Sequence, residues 1–172
     1  MSLIKSISGI RGTIGGKVGD NLTPLDVVKF TSAFGSWLQN NKGKKDLTLV
    51  IGRDARISGQ MVSSLVSATL QGLGIHVIDL GLSTTPTVEV MVPELGADGG
   101  IILTASHNPK QWNALKLLNE KGEFINGENG AEVLALAERE DFGYAEVDNL
   151  GKSETREDGF AVHIAKILAL PM

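Results

Sequence analysis

The sequence contains no cysteine. Disulfides, thiolate metal sites and cysteine nucleophiles are therefore excluded together, and the composition fits a cytoplasmic protein. Long apolar runs are missing as well. Stretches such as Ile101-Ile102-Leu103 fall far short of the ~20 residues a membrane helix needs. The first eleven residues hold no apolar segment of signal-peptide length. No membrane partner is expected. An excess of positive charge is absent too, with 16 Lys+Arg against 20 Asp+Glu and a net charge of −4. A nucleic acid or anionic surface held by bulk charge is excluded, so any phosphate bound here must be gripped locally.

What is present describes a globular domain. The 172 residues, 42% hydrophobic and 21% charged, are enough for one domain with a real core, and they rule out a disordered or collagen-like chain. The 21 glycines exceed the usual share of about 7% and predict many tight turns or close backbone approaches.

Hydrophobic periodicity alternates between strand and helix through the middle of the chain. Residues 47–51 are an aliphatic run closed by Gly52, as a buried strand reads. Ser58 is placed as the N-cap of a helix whose stripe is Val62, Leu65, Val66, Leu70 and Leu73, with Gly74 as its stop. Residues 75–80 are the next strand. Thr85-Pro86 is read as the cap and first turn of a second helix, ended or kinked by Pro93. Residues 99–103 are a third strand. This β-α-β-α-β order predicts parallel strands with right-handed crossovers.

The flanks are simpler. Thr23-Pro24 begins a helix carrying Val27, Phe30, Phe34, Trp37 and Leu38 and ending near Asn40-Asn41. Segment 3–14 reads as a strand with a glycine-rich bend. Residues 114–119 and 123–125 read as a hairpin around Lys121-Gly122, and 129–140 as a further helix. Residues 141–158 are polar and weakly periodic, as a linker is. Phe160, Ile164, Ile167 and Leu168 then mark an amphipathic helix, either docked on its own domain or leading onward. The division expected is 1–150 as the domain and 151–172 as linker and first helix toward a second one.

Ligands of a parallel sheet gather at the carboxyl ends of its strands. Three loops should meet there: residues 52–59 with Arg53, Asp54, Arg56 and Ser58; residues 81–85 with Ser83, Thr84 and Thr85; and residues 104–113 with Ser106, His107, Asn108, Lys110 and Asn113. A serine hydroxyl needs a base, a positive field or a metal to act as a nucleophile. No G-x-S-x-G elbow is present, and His76 and His163 fall in a strand and in the tail helix, so a hydrolase triad is poorly supported. From position alone, Ser106 reads as an ordinary loop serine capping a turn rather than as a nucleophile. Arg53, Asp54 and Arg56 read as an ion-pair network between loops. Asp79 and Asp98 read as turn and strand-end residues.

The hexapeptide T-A-S-H-N-P at residues 104–109 resembles the active-site serine loop of the α-D-phosphohexomutase superfamily, which includes phosphoglucomutases, phosphomannomutases and phosphoglucosamine mutases. Three further stretches resemble that family in the same order: S-G-I-R-G at 8–12, G-R-D-A-R-I-S-G at 52–59 and N-x-x-K at 113–116. The resemblance implies a three-layer α/β/α sandwich with a mostly parallel, mixed central sheet. It implies a catalytic phosphoserine at Ser106, exchanging a phosphoryl group with the C1 and C6 oxygens of a hexose phosphate through a bisphosphate intermediate. Arg11 and Lys116 would contact substrate and the transferring group, Arg11 offering fixed donors and Lys116 charge and proton transfer. His107 would be a supporting donor.

The same resemblance implies Mg²⁺, with a Ser106 phosphate oxygen as one ligand, and a glucose 1,6-bisphosphate-type activator. The family's aspartate-rich metal loop, sugar-selecting loop and distal phosphate loop are not found in this sequence. The remaining domains of a parent enzyme are therefore expected partners, and this domain alone is expected to be inactive. The alternatives are a phosphoglucosamine mutase or a noncatalytic sugar-phosphate-binding module. Where the family commonly has N-G-x-K, Ala114 replaces the glycine, which is tolerable only if φ there is negative.

Overall fold

The computed structural model describes residues 1–6, 9–44 and 46–171, so Ser8 of the S-G-I-R-G stretch lies outside the described residues. Seven strands form one sheet: β1 (Ile4–Ser6), β2 (Gly9–Thr13), β3 (Thr48–Arg53), β4 (His76–Leu82), β5 (Gly99–Leu103), β6 (Trp112–Leu118) and β7 (Ser153–Thr155). Among the described residues five α-helices accompany them: α1 (Pro24–Lys42), α2 (Gly59–Gly72), α3 (Thr85–Glu94), α4 (Gly127–Arg139) and α5 (Gly159–Leu168). The spatial order is β1-β2-β6-β5-β3-β4-β7. The β3–β4, β3–β5 and β4–β7 pairs are parallel, and the β5–β6, β6–β2 and β2–β1 pairs antiparallel. Only β6 and β1 therefore run against the rest, which makes a mixed, mostly parallel sheet with helices on both faces.

The two faces bury unequal cores. One large cluster joins α1, α2 and α4 to the sheet around Phe30, Phe34, Leu49, Ile51, Ile101 and Leu115. The other face is covered by α3 and α5 over Val50, Leu80, Ile102 and Leu118. A methyl group built on Gly52 would lie 2.6 Å from Val88 Cγ2, so the bare backbone of β3 lets α3 sit directly on the sheet.

Local chemistry explains most element ends. Thr23 caps α1 in a box with Asp26, whose carboxylate receives the Thr23 backbone N–H, and Gly43 closes the helix in the left-handed region. After α2, Gly74 has φ 79. Its N–H donates to the Gln71 carbonyl, and the Ile75 N–H to the Leu70 carbonyl, the paired bonds of a Schellman stop.

Several local expectations differ from the structure. Ser58 precedes α2, but its side chain makes no capping bond; its hydroxyl instead accepts from Asn113 Nδ2 at 2.9 Å. The cap of α3 is Thr84, whose side chain accepts from the Thr87 N–H, with Thr85 already helical; either threonine could supply the oxygen, and the extended backbone at 84 decides. Residues 153–155, inside the stretch read as linker, form the edge strand β7 against β4. Its exposed Ser-Glu-Thr has no apolar face to announce a strand.

The second arm of the anticipated hairpin after β6 is a single bridge, Leu118 to Phe124. The tail helix α5 is docked. Val162 packs on the smaller core, His163 Nδ1 bonds the Thr87 hydroxyl at 3.0 Å and Lys166 pairs with Glu94 at 2.6 Å. Phe160, Ile164, Ile167 and Leu168 remain exposed. Among the described residues, no helix is long and apolar enough to cross a membrane.

Candidate functional site

Strands β3, β4 and β5 end on one edge of the sheet, and α2 and α3 start from that edge with their amino ends toward it, a favourable field for an anion. Main-chain bonds stitch the three anticipated loops together. The Asp54 N–H donates to the Leu103 carbonyl at 3.2 Å, and the Ser83 N–H to the Arg53 carbonyl at 2.8 Å. In the middle loop the hydroxyls serve the fold: Ser83 donates to the Leu80 carbonyl at 3.3 Å, and Thr84 caps α3.

The serine loop leaves β5 at buried Thr104 and Ala105 and emerges at exposed Ser106 and His107. Ser106 has φ 56, one of two non-glycine residues with positive φ among those described. Its N–H donates to Thr104 Oγ1 at 2.9 Å, a local turn in which a hydroxyl stands in for a carbonyl. Arg56 reaches across from the β3 loop. Its Nη2 donates to the Ser106 and Asn108 carbonyls at 2.9 and 2.8 Å, and its Nη1 to those of Pro109 and Trp112 at 2.9 and 3.0 Å. Asp54 Oδ2 receives Arg56 Nε at 3.0 Å and the Thr104 hydroxyl at 2.6 Å. Asp54 and Arg56 thus form the expected ion pair, and Arg56 in addition clamps the serine loop. Arg53 stays at the margin, donating to Gln60 Oε1 at 2.9 Å.

Arg11 and Lys116 come from neighbouring antiparallel strands. The register sets Arg11 opposite Ala114 and Gly9 opposite Lys116. Alternation therefore puts Arg11 and Lys116 on one face, while Ile10, Leu115 and Leu117 enter the large core on the other. Both line a cavity of about 310 Å³ with Ser6, Gly9 and Ala114. Lys116 Nζ sits 5.8 Å from the Phe124 ring centroid, a cation–π contact. Ala114 has no positive φ, so the missing glycine of N-G-x-K does not disturb the strand. Asn113 is fully buried; its Oδ1 accepts from the Ala114 N–H at 2.8 Å while its Nδ2 donates to Ser58.

Among the described residues, no group of three or more His, Cys, Asp or Glu side chains could hold a metal ion. Asp54, whose carboxylate reaches the serine loop at Thr104, is engaged by Arg56 and Thr104. The described residues do not by themselves fit a Mg²⁺ site, and Ser106 is the single ligand anticipated from this chain.

A larger cavity, about 620 Å³, lies at the opposite edge among Gln39, Asp46, His76, Tyr144 and Lys152, away from all three loops. There His76 Nε2 and Asp46 Oδ1 are 2.8 Å apart, and the Lys152 N–H donates to His76 Nδ1 at 2.9 Å. The carboxyl edge carries the clustered chemistry. Thr104 was the residue missed there by sequence reasoning. A hydroxyl two positions before a loop serine was the available signal.

Comparison with known proteins agrees with this geometry. A family model described as phosphoglucomutase/phosphomannomutase, alpha/beta/alpha domain I, matches residues 3–144. A phosphoglucomutase/phosphomannomutase of Thermococcus kodakarensis is 36% identical over 143 residues, covering 82% of this chain and 31% of its own. A phosphoglucosamine/phosphogalactosamine mutase of Sulfurisphaera tokodaii is 34% identical over 158 residues, covering 92% and 33%. A solved Thermus thermophilus chain, assigned provisionally as a phosphomannomutase, superposes with a TM-score of 0.81 at 27% identity over 99% of this chain and 37% of that one. The chain spans about a third of the length of the curated relatives it matches. It belongs to the phosphoglucomutase/phosphomannomutase family, matching that family's domain I.

Proposed function

We propose that this chain is the phosphoserine-bearing domain of a hexose-phosphate mutase, with Ser106 as the phosphoryl carrier. The observation that carries the reading is the contrast at Ser106: an exposed side chain on a main chain anchored through both its N–H and its carbonyl. A phosphoserine there carries about −1.5 to −2 charge, and transfer from it depends on positioning and charge neutralisation.

In the transfer, a sugar hydroxyl oxygen bonds to phosphorus as the bond from phosphorus to Ser106 Oγ breaks. The hydroxyl proton leaves the sugar oxygen, and the serine oxygen ends protonated. Lys116 handles protons near the transferring group, Arg11 holds phosphate oxygens with its planar donors, and His107 adds a hydrogen bond. After the bisphosphate turns over, Ser106 Oγ bonds to the phosphorus at its other end as that phosphorus–sugar oxygen bond breaks; the serine proton ends on the sugar oxygen, which completes a 1-phosphate to 6-phosphate exchange and restores the phosphoserine. Mg²⁺, if the parent enzyme uses it, would take one ligand from the Ser106 phosphate and the rest from outside this chain. The domain by itself does not turn over.

A coupled mutase assay on the full-length protein carrying this domain tests the reading. Turnover with a hexose 1-phosphate and loss of that turnover in Ser106→Ala are expected; unchanged turnover in the variant overturns the proposal. Intact mass after incubation with glucose 1,6-bisphosphate should show one added phosphate, whereas a binding module acquires none.

A further inference from the structure

The main chain at Ser106 is held by a closed circuit of side chains. The Ser106 N–H donates to Thr104 Oγ1 at 2.9 Å, the Thr104 hydroxyl to Asp54 Oδ2 at 2.6 Å, and Arg56 Nε to that same oxygen at 3.0 Å. Arg56 Nη2 returns to the Ser106 carbonyl at 2.9 Å. The circuit begins and ends on one residue.

A guanidinium has five N–H groups in a fixed plane, and this one spends them on Asp54 and four loop carbonyls. The Arg56 side chain is only 10% exposed, so the guanidinium is committed to the loop rather than to solvent. Such a fork cannot be replaced by the point charge of an ammonium.

The circuit encloses a strained conformation. With φ 56, Ser106 sits where a residue with a Cβ persists only if its surroundings hold it. A trans peptide points its carbonyl and N–H in opposite directions. Turning the Ser106 carbonyl to Arg56 therefore turns the His107 N–H away from the guanidinium, leaving that donor outside the clamp.

We propose that Arg56, with Asp54 and Thr104, is a positioning unit that fixes the direction in which Ser106 presents its hydroxyl for phosphoryl transfer. The inference rests on the reading of Ser106 as the carrier. None of the three touches the phosphate; they act through the loop backbone.

The test uses the full-length protein, well below each variant's melting temperature. Loading with glucose 1,6-bisphosphate is followed by intact mass, and kcat and KM by the coupled assay. In loading, the Ser106 oxygen bonds to phosphorus as the sugar–phosphate P–O bond breaks, and the serine proton ends on the sugar oxygen. Arg56→Lys keeps the charge and loses the fork. It should slow loading and lower kcat on the order of 10²-fold, the scale of a small misplacement, with KM held within about threefold. Thr104→Val, which cuts the link from the Ser106 N–H to Asp54, should act in the same direction, and Thr104→Ser should recover most of the loss.

Wild-type loading and kcat in Thr104→Val overturn the inference, whether or not Arg56→Lys folds. A raised KM with unchanged kcat overturns it as well, because that pattern marks a substrate contact. Ser106→Ala is measured alongside. If it retains turnover, the carrier reading has failed; if it is inactive while the Thr104→Val protein is normal, only the positioning inference has failed.

Discussion

The two edges of the sheet spend their polar groups in opposite ways. At the carboxyl edge the backbone is consumed, with four loop carbonyls gripped by Arg56. Ser106 and His107 are left exposed. At the amino edge the side chains satisfy one another: His76 with Asp46, and Lys44 with Asp98, whose other oxygen accepts the Thr48 N–H. The amino edge has the larger cavity, yet little chemistry is left over to use it. Volume alone is a poor guide to function here, and the division between fixed backbone and unspent side chain is a better one.

That comparison can be broken by substitution, and the largest effect belongs to the carboxyl edge. Ser106→Gly should abolish phosphate loading in the full-length protein, since no hydroxyl remains, while leaving stability equal or higher. Glycine adopts φ near 56 without the penalty of about 1–2 kcal/mol that a side chain incurs in left-handed backbone. Intact mass and urea denaturation read the two halves of that expectation. A clear loss of stability would show that the loop does not strain its serine.

The amino edge should answer the other way. Asp98→Ala removes the carboxylate of a buried residue that accepts the Thr48 N–H. Leaving that donor without a partner should cost about 1–3 kcal/mol, seen as a lower urea midpoint. Loading of Ser106 well below the midpoint should be unchanged. Slower loading in a folded Asp98→Ala protein would mean that the two edges are coupled through β3.

The smallest effect sharpens the contrast with an exposed contact. Glu120 pairs with Lys42 at 3.0 Å, and its carboxyl is held below its ordinary value of 4.5, first by a backbone hydrogen bond and then by Lys42. A depressed carboxylate stabilises the fold above its unfolded value and loses that contribution as pH falls through the folded one. Glu120→Gln should therefore cost under about 1 kcal/mol at neutral pH and nothing once both states are protonated, well below pH 4.5. Denaturation curves at the two pH values decide it; a difference that persists in acid would assign the effect to shape rather than charge.

Much of the scaffold was legible because its signals are local. The Thr23 cap, the Gly74 stop and the aliphatic runs of β3, β4 and β5 are each written in adjacent residues, and the crossover rule then placed three loops on one edge. The rest depended on tertiary context. Three exposed residues become β7 only because β4 offers a free edge, and Thr84 rather than Thr85 caps α3 because the backbone bends at 84. At the candidate site, T-A-S-H-N-P pointed to the loop that carries Ser106 and N-x-x-K to the strand that carries Lys116. Nothing in serine's identity announces a positive φ. Nor could Asp54 and Arg56 disclose that one guanidinium spans the loop, since its acceptors lie about fifty residues away in sequence.

The edge strand β7 has a mechanical consequence. Three residues bind it to β4, and the same stretch of chain continues into α5, whose outer apolar side is bare. A pull on α5 would open this three-residue pairing before the longer pairings of β3 with β4 and β5, so β7 is the seam at which the sheet would first part.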